Sequence, residues 1–475
     1  MASKLLQKKL SEEFKRDQVL TAKEELACYS YDSGIYTLFH YFEPDAAVLA
    51  KSVNDVIKTL AIARELKVPV VPRGAGTGQA GGALAPTGGI CLDLSGWKDI
   101  EQVMPEDYQA FVRPGVTLDE LNKAFAPYGL YLPPDPSSGS ACTIGGMAAN
   151  NTAGQRSLKY GAMDRFVMGL EVVLPTGEVV TLGGKQARVI KSVSGLDMKT
   201  GLFVGSEGIL GVITGIRVKM APVPPARAGI LFLSADKKSV PALIREVYKA
   251  GVVFSACEFV LVQPSAEGTV AKNLSDLRLP SPLEMVLLME FEGNLPGVAW
   301  ELNRAKEIAA SFAGTSTVAE SREQMQRLWF LLDEAEGGVM GSRPGTKRTP
   351  GGEDIVVPPS RLIEALDGIQ QLVGKAGVAC VNFGHAVFGN IHTGLLIKPD
   401  DAEEMKKVET LIDGIHALAL ALNGSTTGEH GTGIVRSPLL TQEHGQAAEM
   451  MRRVKNLFDP DNIMNPGKIL PADRR

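Results

Sequence analysis

Between Pro72 and Gly82 the chain reads Pro-Arg-Gly-Ala-Gly-Thr-Gly-Gln-Ala-Gly-Gly, with glycine at 74, 76, 78, 81 and 82. Such a run cannot form the interior of a helix or a strand, so it must be a loop. Val53 to Leu66 before it has apolar residues at helical spacing, Val68 to Val71 reads as a short buried strand, and Gly89 to Leu94 reads as another. The loop therefore leaves the end of a strand, with bare backbone N–H groups able to wrap a pyrophosphate and Arg73 adding a positive charge. Its G-x-G-x-G spacing is not that of a dinucleotide fingerprint, and no acidic ribose partner follows at the right distance. Taken alone, it reads equally as a flexible glycine turn between strands.

At 475 residues the chain is too long for one ordinary core, and two or three domains are expected. With 49 basic and 54 acidic residues the formal charge is −5, without a basic stripe, which argues against nucleic acid as a partner. No secretory signal and no bilayer-spanning stretch is visible, so a cytoplasmic protein is expected, peripheral at a membrane only through a partner. The five cysteines (28, 91, 142, 257 and 380) are scattered and form no CxxC pair. They read as reduced thiols and offer no ligand set for an iron–sulfur cluster within the chain.

Along the chain, residues 5–29 read as helices with short breaks, and Leu118 to Ala126 as a helix. Residues 131–161 are dominated by Pro, Ser, Gly, Ala and Asn and read as a loop held close to something. Leu170 to Thr181 reads as a hairpin turning at Pro175-Thr-Gly177. The proline-rich linker Ala221 to Arg227 is the best boundary. Beyond it, a strand–helix–strand–strand–helix order suggests an α+β sandwich with helices on one face. The domains expected are 1–222, 223–422, and a closing segment 423–475.

The segments Phe383-Gly-His-Ala-Val-Phe-Gly-Asn-Ile-His392 and Gly428-Glu-His-Gly-Thr-Gly433 hold three of the six histidines, with Glu429 beside the third. Two imidazoles and a carboxylate suit a divalent metal such as zinc or manganese, leaving His430 as a spare base. His385 and His392 are seven apart in a glycine-bearing segment that is not helix-like. The chain must turn or bulge at Phe388-Gly-Asn390 for the rings to converge. His40, His416 and His444 have no such context.

Five motifs occur in order: Pro72 to Gly78, Pro134 to Gly154, Gly205-Ser-Glu-Gly-Ile-Leu-Gly211, Phe383 to His392, and Gly428 to Gly433. Together they resemble the FAD-linked oxidases of the vanillyl-alcohol-oxidase type. More narrowly, the chain is similar to the branch with the flavin subunit of glycolate oxidase, D-lactate dehydrogenase and D-2-hydroxyglutarate dehydrogenase. The resemblance runs nearly the whole length, to Asn465-Pro-Gly-Lys-Ile-Leu470. It implies an α+β fold: an FAD-binding domain of two subdomains, a substrate (cap) domain with an antiparallel sheet, and a C-terminal helical segment that completes the active site.

The resemblance implies an FAD held either covalently or noncovalently, and the absence of a His or Cys tether in the glycine loop favours a noncovalent one. Pro72, Arg73, Gly74, Ala75, Gly76, Thr77 and Gly78 would take the pyrophosphate. Pro136, Ser138, Gly139, Thr143, Gly145, Gly146, Asn150 and Gly154 would line the flavin, and Glu207, Gly208 and Ile213 the adenine or ribose side, with Asn465 in the closing segment. It places metal ligands at His385, His392 and Glu429 and the base at His430, and Asn390 would hydrogen-bond the substrate. The reaction implied is metal-assisted oxidation of a D-2-hydroxy acid to the 2-oxo acid by hydride transfer to flavin. Electrons would pass to an external acceptor such as an electron-transfer flavoprotein or a separate iron–sulfur subunit; a homodimer is compatible with this.

Two departures bear on the substrate. Relatives commonly carry an Arg shortly after a Leu-Trp pair, whereas Leu328-Trp329 is followed here by Phe-Leu-Leu-Asp-Glu. Arg343, Lys347 or Arg348 would supply the carboxylate clamp, with Arg348 the chosen candidate, unless all three belong to a solvated loop. Val387-Phe388 stands where relatives often have Gly-Asp and makes the site more apolar. D-lactate or glycolate then fits better than a dicarboxylate. D-2-hydroxyglutarate oxidation, a noncatalytic flavin-binding subunit, a metal-dependent hydrolase or lyase, and a non-redox ether-lipid synthase are the alternatives.

Overall fold

The computed structural model describes residues 2–183, 189–349 and 353–471. The chain divides into two compact units, one of residues 1–154, 161–223 and 429–475 and one of residues 155–160 and 224–428. Apart from the short stretch 155–160, the first boundary, 223/224, falls within the proline-rich linker. The second falls at 428/429 because Ser425 pairs with Val356, and the Gly428 N–H donates to Asp354.

The first unit holds two main sheets. Ala46–Leu49, Ile90–Asp93 and Val70–Arg73 form a parallel ladder, extended by the antiparallel Val19–Leu20. Parallel strands need cover on both faces, and these are buried at almost every position. Leu6 and Leu10 of helix Ala2–Glu13 and Val56, Leu60 and Ala63 of helix Val53–Leu66 pack into one core with Ile90 and Leu92. Ser52 caps the second of these helices, its hydroxyl accepting from the Asp55 N–H at 3.1 Å. The chain's end returns to this sheet, where Val70 bridges Met464 in parallel. The second sheet is antiparallel, in the order Ile100–Met104, Gln109–Val112, Val212–Lys219, Val167–Val173, Val179–Leu182. The last two are the expected hairpin, closed by Gly177 N–H to Leu174 O at 2.8 Å.

The second unit is built on an eight-stranded sheet in the order Gly314–Ala319, Ala226–Ser234, Met285–Gly293, Ala256–Leu261, Ala379–His385, Asn390–Ile397, Lys347–Arg348, with Glu353–Val356 also pairing onto Asn390–Ile397. Among the described residues, every pairing within it is antiparallel. One face packs Leu231, Leu233, Val260, Val286 and Leu288 against Met325, Leu328, Leu331 and Ala335 of helix Arg322–Met340. The central strands are buried at nearly every position, not alternately. Both faces are therefore covered, which corrects the expectation of helices on one face only.

Residues 131–161 also differ from expectation: their composition predicts a loop, yet helix Ile144–Asn150 forms there. Thr143 caps it, accepting from Gly146 N–H at 3.2 Å. Its glycines serve close approach: a Cβ on Gly145 would stand 2.6 Å from Pro114 Cβ and 2.9 Å from its Cα. Gly145→Ala gains about 1 kcal/mol of helix propensity but forces an overlap that costs about 1–3 kcal/mol. The variant is expected to melt at a lower temperature than the wild type, and an unchanged or raised melting temperature in calorimetry would refute this packing account.

Candidate functional site

In the first unit the glycine loop follows strand Val70–Arg73 and is stripped of side chains by its surroundings. A Cβ on Gly74 would lie 2.4 Å from Thr143 Oγ1, one on Gly76 would meet the Arg73 guanidinium at 2.2 Å, and one on Gly81 would meet Ile434 at 2.5 Å. Gly76 and Gly81 also have positive φ, +71° and +78°. What the loop presents is therefore backbone, the donor set a pyrophosphate needs, and the residues fit that group. Asn150 lies against it, its Nδ2 3.8 Å from where a Gly78 Cβ would be.

Arg73 is buried and faces inward. Its guanidinium donates to the carbonyls of Tyr31 at 2.9 Å, Ala83 at 3.3 Å and Cys28 at 3.4 Å, and lies over the Tyr29 ring. Asp32, missed in the sequence, ties the loop from the other side, accepting from Gly34 N–H and Gly81 N–H at 2.8 Å each. Burial pushes its pKa up. Pro136, Ser138 and Gly139 form a tight turn ahead of Thr143, with Gly139 N–H donating to Pro136 O at 2.9 Å. Gly154 packs on the Asp135 backbone, and Ile213 lies within strand Val212–Lys219 and is nearly buried.

The Glu207 side chain is committed to the chain itself. Its carboxylate accepts from Thr432 N–H at 2.7 Å and Gly433 N–H at 2.8 Å, holding the segment that carries His430. Its own N–H donates to Ala149 O at 2.8 Å, and its carbonyl accepts from Asn465 Nδ2 at 2.7 Å. Asn465 also donates to Gly82 O at 2.9 Å. Gly208 (φ +74°) packs on the Pro72 ring. Through its carboxylate, N–H and carbonyl, this one buried residue thus ties its own segment to residues 432–433, 149 and 465. Burial raises its pKa, opposed by the two N–H donors and Lys468.

In the second unit the histidines are brought together by a hairpin. Ala379–His385 and Asn390–Ile397 pair antiparallel, with Phe383 opposite His392. The reversal is made at Ala386 to Gly389, where Gly389 has φ +72°. The two imidazole centroids stand 5.5 Å apart with the rings nearly perpendicular. Two carboxylates that the sequence did not single out hold them. Glu258 on the neighbouring strand accepts from His385 Nδ1 at 2.8 Å. Asp354, fully buried, lies 3.7 Å from His392 Nδ1 and accepts from Asn390 Nδ2 at 2.7 Å, Gly428 N–H at 2.9 Å and Thr427 Oγ1 at 3.0 Å. A lone carboxylate in the apolar strand Ala256–Leu261 was the available signal for Glu258.

Arg348 pairs with Glu336 at 2.7 Å and lies over the Phe383 ring, which in turn packs on His392. Arg343 is held by Glu404 at 2.7 Å and by the Leu396 carbonyl, so it is part of the scaffold. His416 faces the buried Glu353 at 2.9 Å. The five cysteines are free thiols, and burial pushes Cys91 up to about 12 and Cys380 to about 11.

A two-unit α+β molecule with a glycine cradle in one unit and a carboxylate-supported histidine pair in the other has known counterparts. Residues 44–183 match the FAD binding domain model, and residues 223–469 match the model for FAD linked oxidases, C-terminal domain. The protein is an FAD-linked oxidoreductase with the two-domain fold of the vanillyl-alcohol-oxidase type. Within that class the chain belongs to the FAD linked oxidases. It is 34% identical to glycolate oxidase subunit GlcD of Bacillus subtilis over 94% of this chain and 93% of that one. It is 33% identical to a probable mitochondrial D-lactate dehydrogenase of Danio rerio, over 90% and 84% respectively. Among solved structures it superposes on p-cresol methylhydroxylase with a TM-score of 0.80 at 17% identity, covering 100% of this chain and 98% of that one. No described helix is long and apolar enough to cross a membrane.

Lys468 offers a test of the first unit's electrostatics. It is buried, its ammonium donating to Leu84 O at 2.7 Å and Asn465 Oδ1 at 2.9 Å, and burial lowers its pKa from 10.5 to about 7. Between those values the unfolded chain binds a proton that the folded chain lacks, so this group's contribution to stability rises with pH across the window. The stability of the wild type minus that of Lys468→Met should increase between pH 7 and about pH 9 in urea unfolding. A difference that stays flat or falls would contradict the burial assigned to this lysine.

Proposed function

We propose that the protein is an FAD-dependent dehydrogenase that oxidises a D-2-hydroxy acid, D-lactate or glycolate, to the 2-oxo acid and passes the electrons to an external acceptor. The names of the relatives support hydroxy-acid oxidation as the class. The observation that carries the reading is the paired imidazoles of His385 and His392, with Glu258 on the Nδ1 of the first. A carboxylate at Nδ1 fixes the tautomer that leaves Nε2 with the lone pair a metal needs. The donor set fits a divalent ion, zinc or manganese, held by His385, His392 and Glu429. Glu429 follows Gly428 in the chain, and the Gly428 N–H is anchored on Asp354.

A metal there would acidify the substrate's hydroxyl. FAD would accept the two electrons of the oxidation. His430 takes the hydroxyl proton as general base, and the loop that carries it is fixed by Glu207 two and three residues further on. Asn390 hydrogen-bonds the substrate. Arg348 lies over the Phe383 ring, which packs on His392, and binds the substrate's carboxylate. The scattered free cysteines leave the onward electron path to another protein, an electron-transfer flavoprotein or an iron–sulfur subunit.

Anaerobic addition of D-lactate or glycolate to the purified yellow protein is expected to bleach the flavin bands, and a chelator is expected to stop the bleaching. Failure of every 2-hydroxy acid to bleach a flavin-loaded protein would sink the proposal. His430→Ala should slow bleaching by about 10²–10⁴-fold while leaving the bound flavin in place. Glu258→Gln should weaken metal retention by about 10–100-fold, measured by metal analysis after dialysis against a graded chelator. Wild-type retention in that variant would remove Glu258 from the metal's support.

A further inference from the structure

Helix Gln446–Phe458 and the closing turn of the first unit enclose a cavity of about 190 Å³. Arg452, Lys455, Asn456, Asn462, Asn465 and Lys468 line it, and no acidic residue does. The two lysines are not equivalent. Lys455 is spent: its ammonium donates to Ile209 O at 2.9 Å and Met464 O at 2.7 Å and pairs with Asp459. Asp459 also accepts from Ile463 N–H at 3.1 Å and Met464 N–H at 2.7 Å, so this acid is satisfied within the turn. Lys468, 1% exposed, has three N–H groups and commits two, to Leu84 O and Asn465 Oδ1. A buried ammonium with no carboxylate in contact is costly, and an anion beside it relieves the cost. The amides of Asn456 and Asn462 are exposed and have no hydrogen-bond partner among the described residues.

The wall is also held in a conformation that its residues disfavour. Asn462, Asn465 and Ile469 have φ of +50°, +42° and +59°. For a β-branched residue such as Ile469 this region is sterically unfavourable, and backbone of this kind persists only where its surroundings fix it, often around a ligand. The Ile469 N–H donates to Gly433 O at 3.0 Å, three residues beyond His430. Asn465 Nδ2 donates to the carbonyl of Glu207, whose carboxylate holds Thr432 and Gly433. The cavity wall is therefore tied directly to the segment that carries His430.

We propose that this cavity is a phosphate-binding site that steadies the His430 segment from behind. Arg452 brings a planar set of donors suited to phosphate, Asn456 and Asn462 bring amide donors, and Lys468 brings the buried charge. The volume admits inorganic phosphate or a small phosphoester and is too small for a dinucleotide. The site is not the flavin cradle: none of residues 72–82 lines it, and the Asn465 amide is spent on Gly82 O, Glu207 O and Lys468. The inference goes beyond the dehydrogenase reading and does not depend on which substrate is oxidised.

The test titrates the flavin-loaded full chain with inorganic phosphate in a calorimeter, with sodium chloride of equal ionic strength as the control; the bound flavin keeps phosphate out of the cradle. One saturable site per chain is expected with phosphate and none with chloride. Glycerol phosphate in a second arm shows whether a phosphoester is preferred to the free ion. Arg452→Gln removes a charged donor, and Asn462→Asp sets a carboxylate on the rim without changing its size. Each should weaken phosphate by about tenfold or more. Their flavin spectra and melting curves without phosphate show that both are folded. Hydrogen exchange should slow on phosphate binding at residues 431–436 and 463–470 of the wild type. Absence of saturable binding, or binding that is undiminished in both variants, overturns the site. Saturable binding that leaves exchange at 431–436 unchanged overturns its hold on the His430 segment.

Discussion

The first unit depends on a carboxylate in the wrong place for an isolated charge. Glu207 is buried in a left-handed backbone conformation, φ +49°, which a non-glycine residue adopts only when its surroundings hold it there. Its two oxygens are met by the N–H groups of Thr432 and Gly433, more than two hundred residues along the chain. An unpaired carboxylate at this depth would cost several kcal/mol, so the interaction acts as a constraint: wherever residues 205–211 go, the His430 loop must follow. The glycines around it follow from the same crowding. A Cβ on Gly431 would come within 2.9 Å of the Glu207 carboxylate, and one on Gly433 within 1.8 Å of the Ala80 carbonyl.

The second unit solves its problem in the same way. Asp354 is buried, takes a backbone N–H from Gly428, and fixes side chains on the neighbouring strand. Glu258 does for His385 what Asp354 does for Asn390. In each case a carboxylate inside an antiparallel sheet is stabilised by the polar groups it orients, so removing the partner would leave a charge buried without compensation. Glu290, in the same sheet, is a third instance. Burial raises its pKa, but Arg156 in a two-pronged pair and Trp329 Nε1 at 2.9 Å, with Arg227 nearby, bring it below the ordinary carboxylate value. Arg156 belongs to the short stretch 155–160, which interrupts the first unit in sequence and is held in the second by this pair.

How much of this the sequence discloses depends on the range of the interaction. Glycine runs, the hairpin turn at Pro175 to Gly177 and the His385/His392 segment are local statements about backbone freedom and side-chain chemistry, and they read directly. Arg73 is legible as a cation beside the glycine loop, but not as a brace on the carbonyls of residues 28, 31 and 83. Its partners lie some forty residues upstream and ten downstream and present no side-chain signature. The helix Ile144–Asn150 is hidden because its small residues look like loop composition until Pro114 supplies the surface they must approach. Glu258 and Asp354 are hidden for the related reason that strand register decides which carboxylate faces which histidine, and register is a property of pairs of strands.

The missing arginine after Leu328-Trp329 also has its cause in partners distant along the chain. Trp329 is committed to Glu290, and Leu328, Leu331 and Leu332 are buried against the sheet, so that part of helix Arg322–Met340 serves packing. The carboxylate Glu336, one to two turns further along, meets Arg348 from the strand opposite. Burial raises the pKa of Glu336, and Arg348 and His392 lower it in turn, which places all three in one electrostatic neighbourhood. A cation delivered from a strand and steadied by a helix carboxylate is geometrically different from one carried on the helix itself. It is also partly neutralised by its own partner. A cation compensated in this way attracts a further carboxylate less strongly than an uncompensated arginine would. The proposed preference for a small monocarboxylic hydroxy acid over a dicarboxylic one rests on this pairing of side chains already committed to one another.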